Sequence, residues 1–247
     1  MTILAIYSNK GGVGKTVAAV NLAYLAAQSG KKTLICDLDP QSSTTYFFRV
    51  RPKVKPKARG FDRGGKRIKS SIKGTDFYHL DLLPADFTHR NLDIGFGRLQ
   101  RSKHQIRRIL KPLESEYDLI VLDCLPTINI IAENIFNASD FLLVPITPST
   151  LAIRTQRQFF KFLRDNQYDM DTVLTFLSMV NQHKRSHNEY SNQIRDEFEG
   201  VLKCEIPYLT LVERMGLERQ PLPAFAPISA AANAYSNLWN EVQERIF

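Results

Sequence analysis

Asn9-Lys10-Gly11-Gly12-Val13-Gly14-Lys15-Thr16 is the stretch on which the reading of this chain turns. It ends like a phosphate-binding loop, G-x-x-x-x-G-K-[ST], yet Asn9 stands where that pattern opens on glycine. A second lysine, Lys10, sits at the front of the loop. An apolar run, Ile3–Tyr7, precedes the loop and an amphipathic stretch, Val17–Gln28, follows it. Strand, glycine-rich turn and helix is the context in which backbone N–H groups and a helix N-terminus face an anion. Gly11, Gly12 and Gly14 supply the turn, with Val13 between them. In this pattern Lys15 reaches the β/γ-phosphates and the Thr16 hydroxyl ligates Mg²⁺. A dinucleotide fingerprint is the competing pattern. It fails because Val17 stands where a third Gly or Ala is needed and Gly14-Lys15-Thr16 is present.

Further apolar runs of strand length lie at Thr33–Cys36, Leu80–Leu83, Leu119–Leu122, Phe141–Val144 and Val173–Leu177. Most are continuous rather than alternating, which predicts strands buried on both faces. Helical spacing lies between them: Ile106, Ile109, Leu110 and Leu113 share one face, and Tyr235, Leu238, Trp239, Val242 and Ile246 share another. This alternation predicts an α/β fold, a single doubly wound, mostly parallel sheet with helices on both faces, as one domain over 1–247.

Two of the runs end in acids. Asp37-Leu38-Asp39-Pro40-Gln41 closes one and Asp123 closes another. In an open α/β sheet, ligands lie beyond the carboxyl ends of the strands, so these aspartates are expected beside the phosphates. Asp37 and Asp123, with Thr16, are the expected holders of magnesium and its water shell, and one aspartate is left to orient an attacking water.

The 247 residues are 43% hydrophobic and 23% charged, ordinary for a globular chain, with no apolar run long enough to span a membrane and no secretory signal pattern. Cys36, Cys124 and Cys204 are odd in number and widely spaced, which argues for free thiols in a reducing cytoplasm and against a disulfide framework. His183 and His187 have metal-ligand spacing but no third ligand. The net charge of +8 is local. Residues 49 to 73 hold eleven Lys or Arg and one acid, a net +10, which leaves −2 for the other 222 residues. With its prolines and glycines, the stretch 49–74 reads as a basic, mobile insertion that attracts polyanions.

Taken together, K-G-G-V-G-K-T at 10–16, D-L-D-P-Q at 37–41, L-D-L-L-P-A-D at 80–86, D-L-I-V-L-D-C at 118–124, V-P-I-T-P-S at 144–149 and I-P at 206–207 resemble the ParA/MinD family of deviant Walker A ATPases. The nearest likeness is to its short ParA-like (Soj-like) members, over nearly the whole chain. The resemblance implies an ATP-sandwich homodimer, with Mg²⁺, in which Lys10 contacts the partner's phosphates while Lys15 acts within its own subunit. It assigns the water-positioning role to Asp39, and the adenine pocket to Asn181, Pro207 and Tyr208. Departures are specific. Val17 replaces the second Thr or Ser that meets the α-phosphate, Leu125 interrupts D-C-P-P, and a DNA-contacting arginine after Ile206-Pro207 is missing. No helix-turn-helix precedes the loop, so operator-specific binding is not expected.

The resemblance leaves three functions open. The first is a positioning ATPase that hydrolyses ATP weakly. It coats DNA nonspecifically when ATP-bound, is stimulated by an adaptor protein encoded nearby, and is cytoplasmic and nucleoid-associated. The second is a MinD-like membrane switch. That needs a basic amphipathic C-terminus, whereas the last apolar stripe here reads as a core helix, so no stable membrane association is expected. The third is an iron–sulfur carrier or amide-forming ligase; the first lacks its cysteine ligands here and the second usually lacks the early lysine. Candidate DNA contacts in the basic segment are Arg51, Lys53, Lys55, Lys57, Arg59, Lys66 and Arg67. Lys184, Arg185, Arg195, Arg214 and Arg219 are further candidates in the C-terminal third.

Overall fold

Successive side chains of a strand point to opposite faces, so a continuous apolar run must be covered on both sides. In strand β1 (Thr2–Ile6), Ile3 and Ala5 enter one core while Leu4 and Ile6 enter the other. The structure, a computed structural model, describes residues 1–51, 68–85 and 102–247.

Seven further strands complete one sheet: β2 (Thr33–Asp37), β3 (Lys73–Gly74), β4 (Leu80–Leu83), β5 (Leu119–Asp123), β6 (Phe141–Ile146), β7 (Val173–Val180) and β8 (Val201–Pro207). Their order is β3-β4-β2-β5-β1-β6-β7-β8, and every pairing is parallel except β3 with β4. Helices α1 (Lys15–Gln28) and α10 (Ala230–Ile246) cover one face, where Leu22, Ala23, Leu238 and Trp239 pack on Leu4 and Ile6. Helices α4 (Gln105–Leu110), α5 (Ile130–Ala138), α6 (Thr150–Asp165) and α7 (Arg185–Glu197) cover the other, where Ile109, Ile135, Phe159 and Ile194 pack on Ile3 and Ala5. Side-chain caps start three of these helices: Asn129 accepts from the Ile131 N–H, Ser149 from the Ala152 N–H and Ser229 from the Ala232 N–H. The apolar stripe of α10, Tyr235, Leu238, Trp239, Val242 and Ile246, is buried. Among the described residues no helix is long and apolar enough to cross a membrane.

The short helices are α2 (Ser43–Phe47), α3 (Ile68–Ser71), α8 (Met215–Glu218) and α9 (Leu222–Phe225). Helix α3 and strands β3 and β8 mark differences from the sequence reading. Ile68 in α3 is buried, and Lys73–Gly74 is a strand, so the end of the 49–74 stretch belongs to the sheet and its cover. Strand β8 was also not expected from the sequence. It is a half-exposed edge strand with Lys203 and Glu205 in its middle and two irregularities in its pairing, so no continuous apolar run announces it.

Candidate functional site

Strands β2, β5 and β1 lie side by side, and their ends are in register: Asp37 is level with Asp123, and Asp123 with Ile6. The chain leaves β1 through the loop 7–14 into α1, so this loop and the two aspartates meet at the carboxyl ends of the central strands. Strand β2 lies to one side of β1 and β6 to the other, which makes this the switch point where open α/β sheets hold ligands.

Backbone geometry gives the loop its glycines. Gly14, the N-cap of α1, has φ 89° and Gly12 has φ 71°, left-handed values that side chains disfavour. A Cβ on Gly14 would also stand 3.1 Å from the Ser178 Oγ. Ser178 donates to the Val13 carbonyl at 2.9 Å and so ties the loop to β7. Lys15 is buried and donates to the Lys10 carbonyl at 3.1 Å. Burial lowers its pKa, against the pull of the Asp123 carboxylate. The Lys10 ammonium makes no hydrogen bond or ion pair among the described residues, and its backbone N–H donates to the Ser8 Oγ at 3.3 Å. The front of the loop and α6 enclose a small polar pocket lined by Ser8, Lys10, Thr147, Thr155 and Gln156. The Gln156 side-chain amide is buried there with its N–H group unpartnered.

The carboxylates are fully buried and held by hydroxyls. Thr16 and Thr44 donate to the two oxygens of Asp123 at 3.3 and 2.7 Å. Thr45 donates to Asp37 from its hydroxyl at 2.6 Å and from its N–H at 2.8 Å. No Lys or Arg makes an ion pair with either among the described residues. Burial pushes Asp37 up to about 6, against the Thr45 hydrogen bonds. Burial, helped by the neighbouring Asp37 carboxylate, pushes Asp123 up to about 7. Asp39 is half-buried; one oxygen accepts from the Gln41 N–H at 2.9 Å. Thr44, Thr45 and Ser178 were not singled out in the sequence. The hydroxyl run Ser42-Ser43-Thr44-Thr45 directly after D-L-D-P-Q was the available signal for the first two.

The residues expected to hold adenine also come together. Val180 pairs with Pro207, and the Tyr208 N–H donates to the Val180 carbonyl at 2.9 Å, which brings Asn181, Pro207 and Tyr208 to the ends of β7 and β8. Asn181 is engaged in its own turn, accepting from the His183 N–H at 3.1 Å, while Tyr208 is exposed. His187 accepts from the Asn181 N–H at 3.1 Å, a structural role for that histidine. Val17 is half-buried in the first turn of α1.

The candidate DNA residues divide. Arg195 donates to the Leu202 and Lys203 carbonyls at 2.6 and 3.0 Å, Arg214 pairs with Glu218 at 2.8 Å, and Arg219 lies over the Tyr46 ring at 4.3 Å. Arg185 is exposed and pairs with Glu189 at 2.9 Å, and Lys184 and Arg51 are exposed. Lys53, Lys55, Lys57, Arg59, Lys66 and Arg67 lie outside the described residues.

The family described as an AAA domain matches residues 1–176. A virulence plasmid ParA family protein of Chlamydia psittaci is 28% identical over 254 residues, covering 100% of this chain and 96% of that protein. The sporulation initiation inhibitor protein Soj of Bacillus subtilis is 26% identical over 246 residues, covering 97% of each. In three dimensions, a plasmid partition protein of Borrelia burgdorferi bound to AMPPNP superposes with a TM-score of 0.83 at 25% identity, over 99% of both chains. A buried lysine in a glycine loop, two hydroxyl-held aspartates in register and similarity along the whole chain give one conclusion: the chain belongs to this AAA domain family, as a short ParA-like partitioning ATPase of P-loop type.

Proposed function

We propose that the chain, as a single unit over 1–247, hydrolyses ATP slowly, dimerises on ATP, and binds DNA without sequence preference to position a cargo. An adaptor protein would stimulate hydrolysis and so release the DNA. The observation that carries this reading is the front of the loop. Lys15 folds onto the Lys10 carbonyl at 3.1 Å, while the Lys10 ammonium has no acidic partner among the described residues. A cation at the mouth of an anion site, with no counter-charge of its own, suits a phosphate brought by a second copy.

Magnesium fits the donor set. Thr16, Asp123 and Asp37 offer hard oxygens, and the two carboxylates are buried without an ion-pair partner among the described residues. Bound there, the ion would offset carboxylate and phosphate charge together. Lys15 would exchange a backbone carbonyl for the β/γ-phosphates. The N–H groups of Gly11 to Thr16 would line the phosphates, with Val17 beside the α-phosphate. Asn181, Pro207 and Tyr208 would flank the base. Asp39, its one oxygen fixed by the Gln41 N–H, would orient the attacking water with the other. DNA contact falls to Lys184, Arg185, Arg51 and the basic run from Lys53 to Arg67. The membrane reading is weakened because the stripe of α10 that it needs is buried in the core.

Light scattering with ATP and magnesium tests the reading. Wild type should double in mass, and Lys10→Ala should remain monomeric while still binding ATP. Equal dimerisation of the two proteins, or none in either, rules out the role of Lys10 across the interface.

A further inference from the structure

Two arginines lock the outer side of α2 to the segment that follows β8, each reaching into the other's element. Arg49, just past α2, donates from Nη2 to the Glu218 carbonyl and from Nε to the Arg219 carbonyl, both at 3.2 Å. Arg219, just past α8, donates from Nε to the Tyr46 carbonyl at 3.0 Å, and its guanidinium lies over the Tyr46 ring at 4.3 Å. Arg49 also pairs with Asp76 in the β3–β4 turn at 3.6 Å. Both arginines have left-handed backbones, φ 58° and 51°, and Ser42 at the other end of α2 has φ 58°. Residues with a Cβ hold that conformation only where surrounding contacts impose it.

What the clasp holds is the helix whose hydroxyls hold the carboxylates. Thr44 donates to Asp123 and Thr45 to Asp37. Helix α2 has five residues, too few to be stable alone, so contacts outside it set its position. Phe48 anchors its end against Phe77, with ring centroids 6.1 Å apart. The arginines add directional contacts on its outer side, beside the Ala85 N–H that donates to the Thr45 hydroxyl at 3.0 Å.

We propose that Arg49, Tyr46 and Arg219 are positioning residues: the clasp holds α2 where Thr44 and Thr45 can present Asp123 and Asp37 to a divalent cation. The segment around α8 is thereby coupled to the phosphate site. This rests on the magnesium–nucleotide reading of that site, and it moves Arg219 from the DNA surface to the metal's outer support. Outer partners of metal sites shape affinity by orienting the ligands themselves.

Arg219→Lys keeps the charge but loses the planar group and the Nε donor. Tyr46→Ala removes the ring, and Tyr46→Phe keeps it. ATP binding to the full chain is measured by calorimetry with magnesium and with EDTA. Amide exchange of Tyr46 and Phe48, whose N–H groups bond the Ser42 and Thr44 carbonyls, is followed without ligand. In Arg219→Lys and Tyr46→Ala, the magnesium-dependent gain in affinity should shrink by about tenfold. Binding in EDTA should hold and the two amides should exchange faster; Tyr46→Phe should match wild type. An undiminished gain in both variants overturns the proposal. So does an equal loss with and without magnesium, which would make the clasp a general stabiliser. A gain left intact while Arg219→Ala alone loses DNA binding returns Arg219 to the DNA surface. A wild type with no magnesium-dependent gain overturns the site reading itself, and the clasp's role with it.

Discussion

The aspartates that end β2 and β5 and the arginines around β8 are opposite cases. Asp37 and Asp123 are fully buried, hydrogen-bonded by threonines and unmatched by any ion pair among the described residues. Arg195 and Arg219 are on or near the surface, yet carbonyls and an aromatic ring of the same chain already engage them. Burying a charge without a counter-charge is costly, so such a pair marks a candidate ligand site. An arginine whose fork is filled internally is a fastener. Counting charges therefore points to the wrong end of the molecule for chemistry and overstates the surface open to a polyanion.

The sharpest way to break this comparison is Asp123→Asn. It removes a buried charge and a proposed metal ligand while keeping the shape. The magnesium-dependent part of ATP affinity should fall about 10- to 100-fold by calorimetry. The ligand-free protein should become harder to unfold in urea at pH 8. A variant that loses stability instead would mean that the carboxylate is already compensated in the folded chain.

The next effect is on pH. Both acids keep their protons to higher pH when folded, about 6 for Asp37 and about 7 for Asp123, than the usual 3.8. Their contribution is full below about pH 4 and is lost as pH rises through 6 to 7. Urea midpoints of ligand-free wild type should therefore decline across this window more than those of Asp123→Asn. Parallel curves for the two proteins would exclude Asp123 as a source.

The smallest effects belong to the arginine side. If Lys184 and Arg185 meet phosphates, each alanine variant should lower the slope of log K against log salt by about one. Arg195→Ala should leave the slope unchanged, because its fork is occupied by the Leu202 and Lys203 carbonyls. A flattened slope in Arg195→Ala would show that an internally bonded arginine still reaches DNA.

Much of the fold was legible because its signals are local. The runs at Ile3–Tyr7, Thr33–Cys36 and Leu119–Leu122 are continuous because the strands are covered on both faces, and a glycine loop between a strand and a helix has few alternatives. Helix α1, however, is buried nearly all round and not amphipathic as its sequence suggests. Strand β8 stayed hidden because an edge strand with one wet face and irregular pairing has no such run. Within the site, Lys15, Thr16, Asp37 and Asp123 could be named from motif and strand end alone. Ser178 could not, since its bond to the Val13 carbonyl joins residues 165 apart in the chain.

The sequence by itself determined the phosphate loop, the acids at the strand ends and the two-sided sheet, since each follows from spacing within a few residues. Only the tertiary structure decided which charges are free and which are fastened. It set Thr44 and Thr45 under the two aspartates, left the Lys10 ammonium without a partner among the described residues, and closed Arg49 and Arg219 on each other. The physical reason is that a hydrogen bond or ion pair depends on distances between residues far apart in sequence, which periodicity along the chain does not encode.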